Sequence, residues 1–382
     1  MTSATAAIAG IGETAFVRAT PRTTLDMTAE AARRAVADAG LGIADIDGFV
    51  SCGSADHVDE LVFALGVADR GFSAATSVVA GTATVGSGLQ LAQLAVQAGL
   101  ARHVLVYYAI KCSKPGGPRT THLAEPLKVD LEMPVGYFGQ PAYFAVLANR
   151  YAHEFGLSEE ELASVALTYR KWAVLNPDAQ KREPMDMEGY RKSPMVARPM
   201  RVADCCLMTD GAGAYLVTTL ERARDLAKPP AVVAGIGIAS NPEPMSTVLT
   251  QRRDLLDLPG RRSAAAAYAA AGITAADVDV AQVYDCFSIS AILQTEMLGF
   301  CEKGEGGRFY HAGHAAPGGK MPVNTSGGHM SGGYVPGINL LIEGVRQLRG
   351  ERGAAQVEGA AVCAVAGLGG NTHATTILTR DQ

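Results

Sequence analysis

Residues 262–286 read RSAAAAYAAAGITAADVDVAQVYDC. The alanine-rich run that ends at Ala271 predicts a helix, and Gly272 supplies a residue type that tolerates the left-handed backbone in which helices commonly end. The β-rich run from Val280 to Cys286 then predicts a strand. This succession of helix, turn and strand indicates an α/β fold.

The same succession occurs near the N-terminus, in residues 27–52, MTAEAARRAVADAGLGIADIDGFVSC. An alanine-rich helix again ends at a glycine, Gly40, and the following turn ends in Asp-Ile-Asp where the later copy has Asp-Val-Asp. A unit repeated within 382 residues predicts a duplicated α/β architecture. We therefore expect an N-terminal half at residues 1–220 and a C-terminal half at residues 221–382.

Composition restricts the function further. The chain is 48% apolar and 19% charged with a formal net charge of −5, which is typical of a globular enzyme and argues against nucleic-acid binding. It has neither an apolar run long enough to span a membrane nor a secretory signal, so we expect a cytoplasmic protein. Its seven cysteines form no CxxC pair, which argues against a disulfide framework or a zinc site. We expect no metal and no cofactor.

The alternation of helices and strands breaks between about residues 111 and 201. This segment contains many prolines, from Pro115 to Pro199, and the only tryptophan, Trp172. We predict an inserted cap of loops and helices. Long irregular insertions on a rigid scaffold usually form substrate-binding surface.

Five segments match motifs of one known superfamily. They are Ile8–Thr14 (IAGIGET), Asp210–Val217 (DGAGAYLV), Tyr284–Ser288 (YDCFS), Asn324–Gly337 (NTSGGHMSGGYVPG) and Gly367–Gly370 (GLGG). Together they resemble the thiolase superfamily, in particular the sterol-carrier/lipid-transfer-type thiolases and their non-thiolytic relatives. The resemblance extends over essentially the whole chain. It implies the thiolase fold, in which duplicated α/β halves form a five-layer αβαβα core.

The nucleophile that defines a thiolase is missing. In thiolases it is a cysteine at the N-terminus of a core helix, where the helix dipole favours a thiolate. The corresponding segment, residues 77–89 (SVVAGTATVGSGL), has no cysteine and precedes a helix predicted at residues 89–97. Counting back from Gly99 puts Thr82 in the cysteine's place, whereas matching the motif C-x-S-G-L puts Val85 there. A threonine nucleophile needs an adjacent base far more than a thiol does.

Tyrosine replaces histidine at two further positions. Tyr284 stands where the family motif H-D-C-F has its histidine, and Tyr334 stands where G-H-P has its own. A tyrosine hydroxyl both donates and accepts hydrogen bonds, with an ordinary pKa of about 10. It can act as a base only if its surroundings lower that pKa or if its own proton moves on in concert. Tyr284 and Tyr334 are the predicted catalytic residues.

These two tyrosines suit retro-aldol cleavage of a 3-hydroxyacyl-CoA. That reaction needs two proton transfers and a binding site for the enolate oxygen, but no nucleophile. The glycine turns at Gly327-Gly328 and at Gly369 and Gly370 could direct backbone N–H groups at the thioester oxygen. His329 either binds the thioester or donates a structural hydrogen bond.

Two further residues are predicted to support the site. Asn324 is expected to brace the glycine-rich loop rather than to react. Thr82 is expected to lie at the site as a supporting residue, or to be the nucleophile if the chemistry is acyl transfer.

The pattern resembles the thiolase-like aldolases of bacterial steroid and bile-acid side-chain degradation. These cleave a branched 3-hydroxyacyl-CoA to a ketone and a short acyl-CoA such as propionyl-CoA or acetyl-CoA. The resemblance also implies a homodimer core and a partner with an OB-fold DUF35 domain, often attached to a MaoC-like hydratase. Two alternatives are an acyltransferase or condensing enzyme with an unrecognised nucleophile, and a non-catalytic subunit that binds acyl-CoA or lipid.

Overall fold

The computed structural model describes residues 4–53, 57–76, 81–114, 128–242 and 254–381. Two stretches of the predicted segments lie outside the described residues. They are residues 77–80, which precede the core helix, and residues 115–127, which belong to the predicted cap. No helix within the described residues is long and apolar enough to cross a membrane.

One large mixed sheet organises the chain. The strands are β1 (Ala6–Glu13), β2 (Gly48–Ser51), β3 (Phe72–Ala75), β4 (Val104–Lys111), β5 (Met195–Ala197), β6 (Met200–Arg201), β7 (Asp210–Thr219), β8 (Ala231–Ser240), β9 (Val280–Val283), β10 (Val362–Gly369) and β11 (Thr372–Arg380). Nine of them form a sheet in the order β3-β2-β4-β7-β1-β8-β11-β10-β9, and β5 pairs with β6 in a separate ribbon. β1 and β8 meet over only two residue pairs, so the sheet divides there into an N-terminal and a C-terminal half-sheet.

The helices complete five layers. They are α1 (Thr24–Asp38), α2 (Val58–Leu65), α3 (Gly81–Gln97), α4 (Gln140–Phe155), α5 (Glu159–Leu175), α6 (Met187–Lys192), α7 (Leu220–Ala223), α8 (Gly260–Ala271), α9 (Ser288–Met297), α10 (Gly306–His311) and α11 (Ile338–Arg349). α3 and α11 contact strands of both half-sheets, whereas α1 covers the N-terminal half-sheet and α8 the C-terminal one. This arrangement confirms the predicted αβαβα core. The predicted boundary at residue 220 falls at the start of α7.

The middle layer is apolar towards both half-sheets. Val85 and Leu89 of α3 and Leu341 of α11 belong to one buried cluster with Val106 of β4 and Val365 of β10. A helix that packs between two sheets has no solvent-facing side, so apolar residues surround it.

Glycines bring the first strand of each half close to its covering helix. β1 and β8 both contain the sequence Ala-Gly-Ile-Gly, at residues 9–12 and 234–237. A Cβ atom at Gly10 would lie 2.1 Å from the carbonyl oxygen of Ala35, and one at Gly235 would lie 2.3 Å from that of Ala267. The backbones of the covering helices therefore pack directly against these glycines. The repeated tetrapeptide is further evidence of the duplication.

Helix α3 starts at Gly81, well before the predicted start at residue 89. Glycine and threonine in its first turns disfavour a helix by propensity alone. The tertiary structure requires small residues there, because a Cβ at Gly86 would lie 2.6 Å from Cβ of Ala374 and one at Gly88 would lie 2.3 Å from Sγ of Cys52. Packing in the middle layer therefore overrides propensity.

The segment between β4 and β7 forms the cap, with helices α4 to α6 and the ribbon of β5 and β6. Helix α5 begins at a capping box in which the Ser158 hydroxyl accepts the backbone N–H of Glu161 at 3.1 Å. Along the same helix, Nε of Arg170 donates to Oγ of Ser331 at 3.0 Å. The indole N–H of Trp172 donates to the carbonyl oxygen of Ala315 at 2.9 Å. The cap is thus attached to the C-terminal half by polar contacts.

Candidate active site

The two predicted catalytic tyrosines lie together. Strand β9 ends at Val283 rather than at Cys286, and Tyr284 leaves it with its N–H donated to the carbonyl oxygen of Ala366 at 2.9 Å. Tyr334 is brought to the same place by a glycine-rich turn, and the two hydroxyl oxygens are 2.9 Å apart. Either hydroxyl can donate in this hydrogen bond. Tyr284 is buried and Tyr334 is half-buried.

Burial determines the protonation of this pair. It raises the pKa of both Tyr284 and Tyr334 well above the ordinary value of 10.0, and the neighbouring Tyr334 raises that of Tyr284 further. The charged phenolate is disfavoured because it would lose hydration. Both hydroxyls are therefore protonated at neutral pH, which excludes a resting phenolate base. The remaining acid–base route is proton transfer through the hydrogen-bonded pair of hydroxyls.

Asp285 anchors the turn that presents Tyr334. Both of its carboxylate oxygens accept the backbone N–H of His329 at 2.9 Å, and one accepts that of Met330 at 3.3 Å. This turn, Gly328–Gly332, has no room for a side chain at its first residue, because a Cβ at Gly328 would lie 2.3 Å from Oδ2 of Asp285. The glycine and the buried carboxylate thus form one structural unit.

The imidazole ring of His329 is buried and contacts both tyrosines. Its ring meets the rings of Tyr284 and Tyr334 edge-on, with centroids 5.2 and 5.1 Å away. Nε2 lies 3.1 Å from Oδ1 of Asn339 and 3.3 Å from the backbone nitrogen of Gly337. Nδ1 lies 3.1 Å from a carboxylate oxygen of the neighbouring aspartate, without the alignment of a hydrogen bond. These contacts favour a structural role for His329 over thioester binding.

Asn324 braces the end of β9. Its Oδ1 accepts the N–H of Val283 at 2.7 Å and its Nδ2 donates to the carbonyl oxygen of Val283 at 2.9 Å. Its own N–H donates to the carbonyl oxygen of Ala281 at 2.9 Å. The backbone φ of Asn324 is +55°, a left-handed conformation that asparagine tolerates better than most residues. These bonds hold Asn324, the first residue of the predicted glycine-rich motif, against β9.

The glycine turns differ in what they can offer a substrate. The N–H of Gly327 donates to the carbonyl oxygen of Asn324 at 2.9 Å, so it is already used and the expected oxyanion role does not fit it. Gly369 closes β10, and Gly370 turns the chain into β11 with φ of +64°. A Cβ at Gly81 would lie 3.3 Å from Cα of Gly369, so this hairpin stands at the N-terminus of α3.

Of the two positions proposed for the missing cysteine, only Thr82 packs against the same glycine as Tyr284. A Cβ at Gly367 would lie 2.3 Å from Cβ of Tyr284 and 2.9 Å from Oγ1 of Thr82, so both residues contact the same glycine. Val85 instead points into the apolar middle layer, where its carbonyl oxygen accepts the Tyr215 hydroxyl at 3.2 Å. The structure therefore places Thr82 at the site and excludes Val85 from it.

His373, a residue near the last glycine turn, does not join the site. It is fully buried, with Nδ1 2.6 Å from Oγ of Ser263 and Nε2 2.6 Å from Oε1 of Gln294. Burial lowers the pKa of His373 to about 3, so the ring is neutral. Through these two contacts His373 connects β11 to α8 and α9.

Two residues next to Tyr334, Thr209 and Phe16, were not predicted from the sequence. The N–H of Tyr334 donates to Oγ1 of Thr209 at 2.9 Å, and that hydroxyl donates to Oε1 of Gln180 at 2.8 Å. Phe16 lies beneath the preceding Gly333, where a Cβ would come within 2.6 Å of its ring. Thr209 stands directly before the DGAGA motif, a signal that could have identified it, whereas Phe16 has no comparable local signal.

Comparison with known proteins decides the family. Residues 244–380 match the family described as Thiolase C-terminal domain-like. A 17-hydroxy-3-oxo-4-pregnene-20-carboxyl-CoA lyase of Mycobacterium tuberculosis is 36% identical over 92% of this chain and 93% of its own. The chain belongs to the thiolase superfamily. The resemblance predicted from the sequence motifs is confirmed.

Two further similar proteins indicate which members of the superfamily this chain resembles. A steroid side-chain-cleaving aldolase of Thermomonospora curvata is 33% identical over 90% of each chain. The solved structure described as Ltp2-ChsH2(DUF35) aldolase matches with a TM-score of 0.92 and 31% identity, covering 99% of this chain and 98% of that one. This thiolase-like chain therefore groups with proteins named as carbon–carbon lyases.

Proposed function

We propose that this chain catalyses retro-aldol cleavage of a branched 3-hydroxyacyl-CoA to a ketone and a short acyl-CoA. The observation that carries the proposal is the hydroxyl pair of Tyr284 and Tyr334, 2.9 Å apart, in place of the thiolase histidines. The lack of a cysteine between residues 52 and 112 argues against thiolysis through an acyl-enzyme. The names of the aligned relatives support the same reaction class.

The raised pKa values of the two tyrosines suggest how the protons move. The substrate hydroxyl gives its proton to one tyrosine as that tyrosine passes its own proton to the other. The second tyrosine gives its own proton to the α-carbon as it takes up the proton passed to it, so neither hydroxyl becomes doubly protonated. The bond between the α- and β-carbons breaks as the ketone forms, and its electron pair is held transiently as the thioester enolate. Neither tyrosine carries a net charge at the end, and each positioned transfer contributes about 10²–10⁴-fold in rate.

The proposed reaction balances without a metal, a cofactor or free CoA, because the CoA thioester is itself the substrate. The relative's printed name suggests the first compound to test, 17-hydroxy-3-oxo-4-pregnene-20-carboxyl-CoA. Cleavage between C17 and C20 of that steroid would release a 17-ketosteroid and propionyl-CoA. A substrate without the branching methyl would release acetyl-CoA instead.

Mass spectrometry of the released acyl-CoA tests this proposal. The purified chain, alone and with its candidate partner, is incubated with the steroid thioester in the presence and absence of free CoA. Release of propionyl-CoA without free CoA is expected. Strict dependence on free CoA would establish thiolysis, and binding without turnover would establish the non-catalytic alternative.

A second copy of this chain is the first proposed partner. β3 lies at the edge of the nine-stranded sheet, so its outer backbone groups can pair with another strand. Apolar side chains are exposed on this half, including Phe63 at 89%, Leu94 at 56% and Leu100 at 57%. The carbonyl oxygen of Leu100 would lie 3.1 Å from a Cβ at Gly71, directly before β3. Sedimentation of wild type and Leu100→Asp tests this interface.

A DUF35 protein is the second proposed partner. The solved structure with a TM-score of 0.92 is described as an aldolase with a DUF35 component, which supports a similar OB-fold partner here. A MaoC-like hydratase attached to that partner would supply the hydroxyacyl-CoA by adding water to an enoyl-CoA. Co-expression with a neighbouring DUF35 gene product and co-purification test the association.

A further inference from the structure

Thr82 combines burial with an unused hydroxyl. It is the second residue of α3, a helix of 17 residues, and its exposure is 2%. Oγ1 of Thr82 is buried and has no hydrogen-bond partner within the part of the chain that the structure describes. Buried hydroxyl groups are nearly always hydrogen-bonded, so this one requires an explanation.

The neighbouring hydroxyls of the same helix are satisfied. Thr84 is equally buried, and its hydroxyl pairs with that of Thr76. Oγ of Ser87 donates to the carbonyl oxygen of Ala83 at 2.8 Å. The first turns of α3 therefore do not generally leave hydroxyls unpaired, and Thr82 is distinguished by its position.

That position is beside the proposed reaction centre. A Cβ at Gly337 would lie 2.7 Å from Oγ1 of Thr82, and one at Gly367 would lie 2.9 Å from it. Gly367 is also the glycine against which Tyr284 packs. Both neighbours are glycines, so the hydroxyl packs against backbone rather than side chains at these two positions.

The location favours negative charge. N–H groups in the first turn of an α-helix have no acceptor within the helix, and the helix dipole places partial positive charge there. The thioester oxygen gains negative charge as an aldol bond breaks. A neutral hydroxyl donor at a helix N-terminus can stabilise that oxygen more in the transition state than in the bound substrate.

We propose that the hydroxyl of Thr82 donates a hydrogen bond to the thioester oxygen of the CoA substrate and stabilises the enolate. This inference rests on the proposed retro-aldol function. It also assigns the residue in the cysteine's position a donor role instead of a nucleophilic one. A threonine nucleophile needs a base within hydrogen-bonding distance, and Oγ1 has no such partner in the described structure.

Four variants test the role of the hydroxyl. Thr82→Val keeps the side-chain shape without the hydroxyl, and Thr84→Val makes the same change at a hydroxyl already paired within the protein. Thr82→Ser and Thr82→Ala both remove the methyl group and differ from each other only in the hydroxyl. This last pair decides the question if Thr82→Val fails to fold.

Two readouts are measured in all variants. One is kcat and KM for cleavage of the steroid thioester, and the other is exchange of the α-protons of propionyl-CoA in D2O, which requires the same enolate. Thr82→Val should lower kcat and the exchange rate by about 10²–10³-fold with little change in KM. Thr82→Ser should stay within about tenfold of wild type while Thr82→Ala falls like valine, and Thr84→Val should keep wild-type kcat.

Each contrary result has a distinct meaning. Full activity of Thr82→Val, or equal losses in the serine and alanine variants, would overturn the donor role alone, whereas an acyl group found on Thr82 by mass spectrometry would also overturn the proposed function. If wild type cleaves no hydroxyacyl-CoA and exchanges no α-proton, the proposed function fails and this inference fails with it. Parallel loss of kcat and exchange with serine rescue supports both.

Discussion

Replacing Tyr284 with phenylalanine removes one oxygen from the site and leaves its ring in place. The variant loses the hydroxyl that lies 2.9 Å from that of Tyr334, while the edge-on contact with His329 is retained. A relay through two hydroxyls fails when either is missing. Tyr284→Phe and Tyr334→Phe should therefore each lower kcat/KM by about 10²–10⁴-fold, which at about 1.36 kcal/mol per tenfold is about 2.7–5.4 kcal/mol.

The double variant distinguishes a relay from two independent catalysts. Residues that act as one unit are not additive, so the double variant should lose little more than either single variant. The assay is release of propionyl-CoA from the steroid thioester, followed over substrate concentration to separate kcat from KM. Binding should change little, since each substitution removes a single hydroxyl.

Tyr169→Phe is the matched control. Its hydroxyl lies 2.6 Å from that of Tyr310 in a second buried tyrosine pair, which the proposed mechanism does not use. Loss of that partner should destabilise the fold by about 1–3 kcal/mol while kcat stays near wild type. If the Tyr284 and Tyr334 variants kept full turnover, the tyrosine mechanism would be wrong. If their effects multiplied in the double variant, the two residues would act separately.

Three more outcomes follow from the geometry. Asn324→Ala removes both side-chain bonds to the end of β9 and should lower the free energy of unfolding by about 1–3 kcal/mol in urea denaturation, whereas an unchanged midpoint would contradict the bracing role. Gly337→Ala should lower both Tm and kcat, because its φ is +83° and the new Cβ would lie 2.4 Å from Cα of Thr82; a wild-type Tm would refute this packing. Burial raises the pKa of Tyr284 above 10.0, so its contribution to stability is complete below about pH 10 and is lost as the unfolded chain ionises first at higher pH. The difference in Tm between wild type and Tyr284→Phe should therefore decrease from about pH 9 to about pH 11.

The duplication and the candidate residues of the site could be identified from the sequence because their signals are local. Gly272 ends its helix through its own backbone conformation, with φ of +69°, and Gly40 has φ of +75° at the equivalent place in the first half. The replacement of two histidines by Tyr284 and Tyr334 is visible in short motifs. The absence of a cysteine between residues 52 and 112 needs no structure at all.

The tertiary structure decided how these residues act together. The start of α3 at Gly81 depends on the packing of its small residues between two half-sheets, and this placement put Thr82 against the glycine that Tyr284 also contacts and Val85 in the core. The 2.9 Å distance between the tyrosine hydroxyls depends on a turn anchored by Asp285, far from Tyr334 in the chain. The direction of their pKa shifts depends on burial within the folded chain. Such properties arise from contacts between distant segments, so no local pattern in the sequence contains them.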